Sequence, residues 1–145
     1  MTLLANLALN VAAGFLGTLG FGILLQAPRK ALLAASLIGG ATYGLYWLLH
    51  ALGASVMMAM FVAASMGSVM AQLAARRKRM VATIFIALAV ITLVPGLGLY
   101  RCMAYLAQGQ SALGAQTGLE AMGSVLMIAL GIGVGTFLPR RKSSK

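Results

Sequence analysis

Apolar positions in this chain come in long unbroken runs separated by short polar interruptions, not in the apolar-polar alternation of half-buried strands. The first run covers about residues 3–27 and stops at Pro28-Arg29-Lys30. Between Lys30 and Arg76 lie 45 residues without one Lys, Arg, Asp or Glu, which is about 67 Å of helix, or two crossings of a ~30 Å hydrocarbon core. That stretch begins and ends on basic residues, so it must be a hairpin. Its bend is legible at His50-Ala51-Leu52-Gly53-Ala54-Ser55, where a glycine ends the helix just after the aromatic cluster Tyr43, Tyr46 and Trp47. Spans of about 31–52 and 56–75 follow. A fourth, about 80–106, opens after Arg76-Arg77-Lys78-Arg79, and a last one covers about 117–138.

The fourth run meets Pro95-Gly96 after only 15 residues, about 22 Å from its start. Proline removes a backbone donor and steers the preceding residue away from helical geometry, so the span is predicted to break near Val94. Unpaired backbone groups at membrane depth are tolerable only where they face protein or a wet cavity. The second half-helix would present N–H groups and a positive dipole end, suited to a carboxylate. A simple proline kink without a role in binding is the alternative.

Composition excludes a soluble domain. The chain is 61% hydrophobic and 8% charged, with a mean hydropathy of +0.98, against about 45–50% and about 25% for soluble domains. The expected fold is therefore all-α and integral to the membrane, one transmembrane domain (1–138) of about five spans, followed by a basic tail (139–145). The first run lacks the basic n-region of a cleavable signal and is expected to stay in the mature chain.

Net charge is +10, yet ten of the eleven basic residues fall in three clusters at the ends of apolar runs, Arg29-Lys30, Arg76–Arg79 and the C-terminal Arg140-Arg141-Lys142 with Lys145. The positive-inside rule puts such clusters in the cytoplasm, the N-terminus outside and the C-terminus inside. No nucleic-acid partner is expected, because the runs carry no interleaved aromatics. One cysteine, Cys102, excludes an internal disulfide and a multi-cysteine metal site, and no cofactor is implied. With one acidic residue and no nucleophile–base pair, the chain is not expected to be an enzyme.

Two charged residues stand apart from the clusters. Arg101 shares a helical face with Leu97, Tyr105 and Gln108, and arginine is the best planar partner for a carboxylate. An ionisable residue in a membrane segment is a functional-site hypothesis; the plain reading is a side chain snorkelling to the outer headgroups. Glu120, the only acid, sits one turn after Gln116 and is a proton-carrying candidate, with a structural ion pair to Arg101 or an exposed loop position as alternatives. His50 reads as an interfacial aromatic. Asn6, Asn10 and Gln26 are expected to hydrogen-bond between helices. Small residues at four-residue spacing (Gly14-Thr18-Gly22, Ser36-Gly40-Gly44, Ala63-Gly67-Ala71, Gly131-Gly135) mark close helix packing.

The segment Phe21–Lys30, the uncharged hairpin, the basic turn and Leu93-Val94-Pro95-Gly96-Leu97-Gly98-Leu99-Tyr100-Arg101, in that order, resemble the C-terminal, small-subunit half of the threonine/serine exporter family, over about residues 15–138. The resemblance implies a bacterial inner-membrane exporter of about ten spans, driven by an ion gradient and built from two five-span halves that are separate chains in some members. One such pair is associated with export of succinate and related dicarboxylates. The implied partner is a second membrane subunit, with the lipid bilayer around both and a second copy of this chain as a further partner. Carried over are Pro95-Gly96 and the Tyr100-Arg101 that follows; Tyr105 joins them on the stripe as a substrate-binding candidate, and Glu120 is the coupling candidate. Readings outside the resemblance are a non-transporting scaffold subunit and a small holin-like pore.

Overall fold

The computed structural model describes residues 3–140. They form six helices: α1 (Leu3–Leu24), α2 (Arg29–Ala51), α3 (Val56–Lys78), α4 (Ala82–Val90), α5 (Gly96–Ala107) and α6 (Ser111–Arg140). Among the described residues there is no strand. Four of the helices are long and apolar enough to cross a membrane, and a bent pair, Ala82–Leu93 with Gly96–Ala107, makes a fifth when its two halves are counted as one span. The chain is an all-α, multi-pass membrane protein. Of the expected tail, residues 141–145 lie outside the described part.

The fourth span is broken as proline chemistry predicts. After α4 the chain tightens into one 3₁₀ turn (Ile91–Leu93), then Val94 turns extended, with φ −59° and ψ 125°, ahead of Pro95. The two halves meet at 49°. Gly96 N–H donates to Val94 O at 2.7 Å, a tight local turn in place of a helical bond across the joint.

The last helix starts at Ser111, six residues ahead of the predicted 117. The sequence there turns polar at Gln110, Ser111, Gln116 and Thr117, which lowers hydropathy without opposing helix formation. Thr117 Oγ1 donates to Leu113 O at 2.8 Å, so its hydroxyl is satisfied inside the helix.

Small residues decide the packing. α1 lies antiparallel on α2, with Gly14 against Gly39 and Gly40 and Gly22 against Leu32. α2 runs antiparallel to α3, and α3 packs along α6, the two running parallel with Gly131 and Gly135 against the turn from Phe61 to Ser68. α4 seats on α2 and α3 near their basic ends, where Phe85, Leu88 and Ala89 join Ala31, Ala35, Ile38, Ala71 and Ala75. A second cluster (Met60, Ala63, Ala64, Val90, Leu93 and Ile128) ties the joint to α3 and α6. Beyond the joint α5 leaves this core and packs on α6. The broken span thus has one half in each of two packing neighbourhoods.

Three fully buried hydroxyls in this oily interior are satisfied within their own helices. Thr18 and Thr42 donate to Gly14 O and Ile38 O at 2.8 and 2.7 Å, and Ser68 donates to Ala64 O at 2.7 Å. Asn10 behaves likewise, against expectation. Asn10 Nδ2 donates to Asn6 O at 2.8 Å, one turn back on its own helix. Gln26 is exposed and closes α1 in a left-handed conformation, φ 52°, instead of bridging helices. Arg79 closes α3 in the same way at φ 51°, with Met80 N–H donating to Ala75 O. Glycine serves at the corresponding ends of α2 and α5. Lys78 Nζ donates to Lys30 O at 2.6 Å, which places the first two basic clusters at one end of the bundle.

Candidate functional site

At the opposite end, α2, α3, α5 and α6 splay around a cleft of about 660 Å³. The break creates it. By redirecting α5 away from α3 and onto α6, Pro95 leaves a gap between the first turn of α3 and the first turn of α5. Glycines on α6 let α5 approach: a Cβ at Gly118 would stand 3.0 Å from Cys102 Sγ, and one at Gly114 2.8 Å from Leu106. Pro95, Gly98 and Arg101, three residues apart, then fall on the face of α5 that lines the cleft. Thr117, Glu120 and Ser124 enter from α6, Tyr46 from α2, and Ser55, Met57 and Met60 from the start of α3.

The two isolated charges share this cleft. Among the described residues neither is held in an ion pair, and both are exposed. The structural pair weighed for Arg101 and Glu120 is therefore not formed. Glu120 Oε1 receives a long hydrogen bond, 3.4 Å, from Gln116 Nε2. Ser124 Oγ donates to the main-chain oxygen of Glu120 at 2.9 Å, fixing the backbone rather than the carboxylate. Ser55 caps α3, its Oγ accepting from Met58 N–H at 3.3 Å, so its hydroxyl hydrogen remains available. The α5 N-terminus is capped by no side chain, and among the described residues the N–H groups of Leu97 and Gly98 find no backbone acceptor.

Tyr46 belongs to an aromatic column on α2. Its ring is 5.9 Å from Tyr43, tilted, and 6.3 Å from His50, stacked. His50 is exposed at the helix end. Toward the middle of the bundle, Tyr43 and Thr92 line a small cavity of about 190 Å³ with Ala13 and Gly14. The Thr92 hydroxyl oxygen there is buried without a hydrogen-bond partner.

Of the six residues singled out in the sequence, Pro95, Arg101 and Glu120 are brought together. Gly96 lies in the joint itself, exposed, with open space where a Cβ would stand. Tyr100 and Tyr105 do not line the cleft. Tyr100 is 71% exposed, since one residue along a helix turns about 100° and carries it to the far side of α5. Tyr105 lies one turn beyond Arg101, past the end of the cavity. Sequence reasoning missed Tyr46, Ser55, Gly98, Thr117 and Ser124. Tyr46 reads as an interfacial aromatic and Ser55 as a helix cap, and only the meeting of distant helix ends gives them a common space. Among the described residues no group of three His, Cys, Asp or Glu side chains is placed to hold a metal.

The family model described as Threonine/Serine exporter, ThrE, matches residues 10–138. No curated protein and no solved structure gives a significant match. That match runs from within α1 into the last turn of α6 and takes in the bent pair together with the cleft behind it: the chain belongs to the threonine/serine exporter family.

Proposed function

We propose that this chain is one half of a proton-coupled exporter of small hydroxylated amino acids such as threonine and serine. The observation that carries the reading is the placement of one unpaired cation and one unpaired anion on the same cleft, Arg101 and Glu120. A zwitterion satisfies both at once, its carboxylate on the Arg101 guanidinium and the open N–H groups of α5, its ammonium on Glu120. Tyr46 and the Ser55 hydroxyl stand ready for a side-chain hydroxyl. A dicarboxylate fits less well, since its second carboxylate would lie beside Glu120 with no second cation on the cleft.

The coupling follows from the same carboxylate. A proton and an ammonium compete for Glu120, so a proton arriving from outside releases the amino acid, and its departure inward restores the binding form. The cleft opens at the end away from the basic clusters. In the orientation set by the positive-inside rule, N-terminus out and C-terminus in across a bacterial inner membrane, that end faces the exterior. A second five-span subunit completes the path by covering the exposed apolar face of α5, where Leu97, Tyr100 and Met103 remain 62–71% exposed within their own chain.

The test is efflux of labelled threonine and of labelled succinate from cells that express both subunits. Hydrogen bonds to charged groups contribute about 1.5–3 kcal/mol, so Arg101→Gln and Glu120→Gln each lower threonine efflux about 10- to 100-fold at unchanged assembly. Wild-type rates in both variants, or a preference for succinate, refute the proposal.

A further inference from the structure

We infer that the groove between α2 and α3 at the basic end of the bundle is a site for one anionic phospholipid. The groove measures about 440 Å³; Ala34, Ile38, Met70 and Leu73 form its walls, and Arg77 and Lys78 close it at the basic end. On α3 the residues at 70, 73, 77 and 78 form one helical stripe, apolar toward mid-membrane and cationic where the headgroups lie. From Met70 to Arg77 the stripe rises about 10 Å, enough to seat the upper part of an acyl chain beneath its phosphate.

Three observations choose this occupant. The first is charge. The chain's one acidic side chain, Glu120, lies on the cleft at the opposite end, so no side-chain carboxylate of this protein is available to the cations here. The second is geometry. Lys78 Nζ donates to Lys30 O at 2.6 Å, which holds the ammonium at the mouth of the groove while two of its three N–H donors stay free for a phosphate. The third is exposure. α4 covers the other face of the α2–α3 pair, whereas Leu73 on this face remains 50% exposed. Basic pockets between helices on the cytoplasmic side are the recurrent setting for anionic headgroups. A neutral lipid would leave the cations unanswered, and a free phosphate would leave the apolar walls bare.

Native mass spectrometry of the full-length protein released from mixed micelles tests the inference, with phosphatidylglycerol and phosphatidylcholine as competing probes. The expected result is one retained phosphatidylglycerol in preference to phosphatidylcholine. Arg77→Gln should weaken retention about fivefold, and the R77Q/K78Q pair about 25-fold. Arg29→Gln, an equal charge change at the same end of the bundle on a residue that does not line the groove, should leave retention unchanged, while Leu73→Trp should displace the lipid with every charge intact. Equal losses in R77Q and R29Q would reduce the effect to net charge and overturn the site. So would equal retention of the two lipids, retention of inorganic phosphate in place of lipid, or an L73W variant that keeps its lipid but loses the second exporter subunit.

Discussion

Replacing Gly131 or Gly135 by alanine probes the contact that holds the two walls of the cleft together. α3 contributes Met57 and Met60 to the cleft and α6 contributes Thr117, Glu120 and Ser124, so their separation fixes its width. A Cβ at Gly131 would stand 2.7 Å from Phe61 O and 2.9 Å from Ala64 Cβ; at Gly135 it would stand 2.5 Å from Ser65 O and 2.7 Å from Ser68 Cβ. The nearest obstacle in each case is backbone, which cannot swing aside. Restoring an ordinary 3.4 Å contact at Gly135 would push the helices apart by 0.9 Å locally. Overpacking of this kind costs about 1–3 kcal/mol, several degrees in unfolding temperature for a domain of this size. Gly133 is the control. It lies on the same helix with nothing within 4 Å of its would-be Cβ, so Gly133→Ala should be neutral or stabilising by up to about 1 kcal/mol, because alanine is the better helix former. Thermal unfolding in detergent compares the three variants. If Gly133→Ala falls as far as Gly131→Ala, or if neither Gly131→Ala nor Gly135→Ala shifts the transition, the parallel α3–α6 contact is not what orders these helices.

The helix ends make a sign test. Arg79→Gly should raise stability by about 1 kcal/mol, because a left-handed backbone costs a side-chain-bearing residue about that much; Gly53→Ala, at φ 91°, should lower it by a similar amount, both read from the same melts. Pro95→Ala restores an N–H and frees Val94 to become helical. The 49° bend should relax, seen as a longer spin-label distance between Ala87 and Leu106, and threonine efflux should fall with protein level unchanged. Tyr46→Phe keeps the ring packing but deletes the hydroxyl. It should raise the apparent KM for threonine several-fold more than that for alanine, and equal shifts for the two amino acids would remove Tyr46 from side-chain recognition.

The broken span was legible because proline acts locally: whatever packs around it, Pro95 lacks a donor and constrains Val94. The crossings were legible because charge is so scarce that ten cations mark three boundaries. The start of α6 was not, since hydropathy drops at Gln116 and Thr117 while helix propensity does not. The partnership of Arg101 with Glu120 across one cleft was half legible. Each stood out alone, but whether they pair or stand apart depends on where α5 lands after the joint, which glycines 19 and more positions away from Pro95, at 114 and 118, determine. Tyr46 was hidden for the same reason: its place on the cleft depends on α2 ending beside α3 and α6, a tertiary fact that no local pattern encodes.

α3 begins on the non-basic side against the middle of α6, where Met57 meets Gly123, and the short α5 begins beside it at Pro95, so two helix origins face the cleft. Each helix origin carries about half an elementary positive charge. At the far rim the negative end of α3 is answered by Arg76, Arg77 and Lys78; on the cleft, among the described residues, Arg101 and Glu120 are the only formal charges, and Glu120 does not cancel that cation by contact. The vestibule is therefore attractive to anionic groups before any side chain touches them. A solute with a free carboxylate will concentrate there, whereas its amide or ester, identical in shape, will feel no such pull.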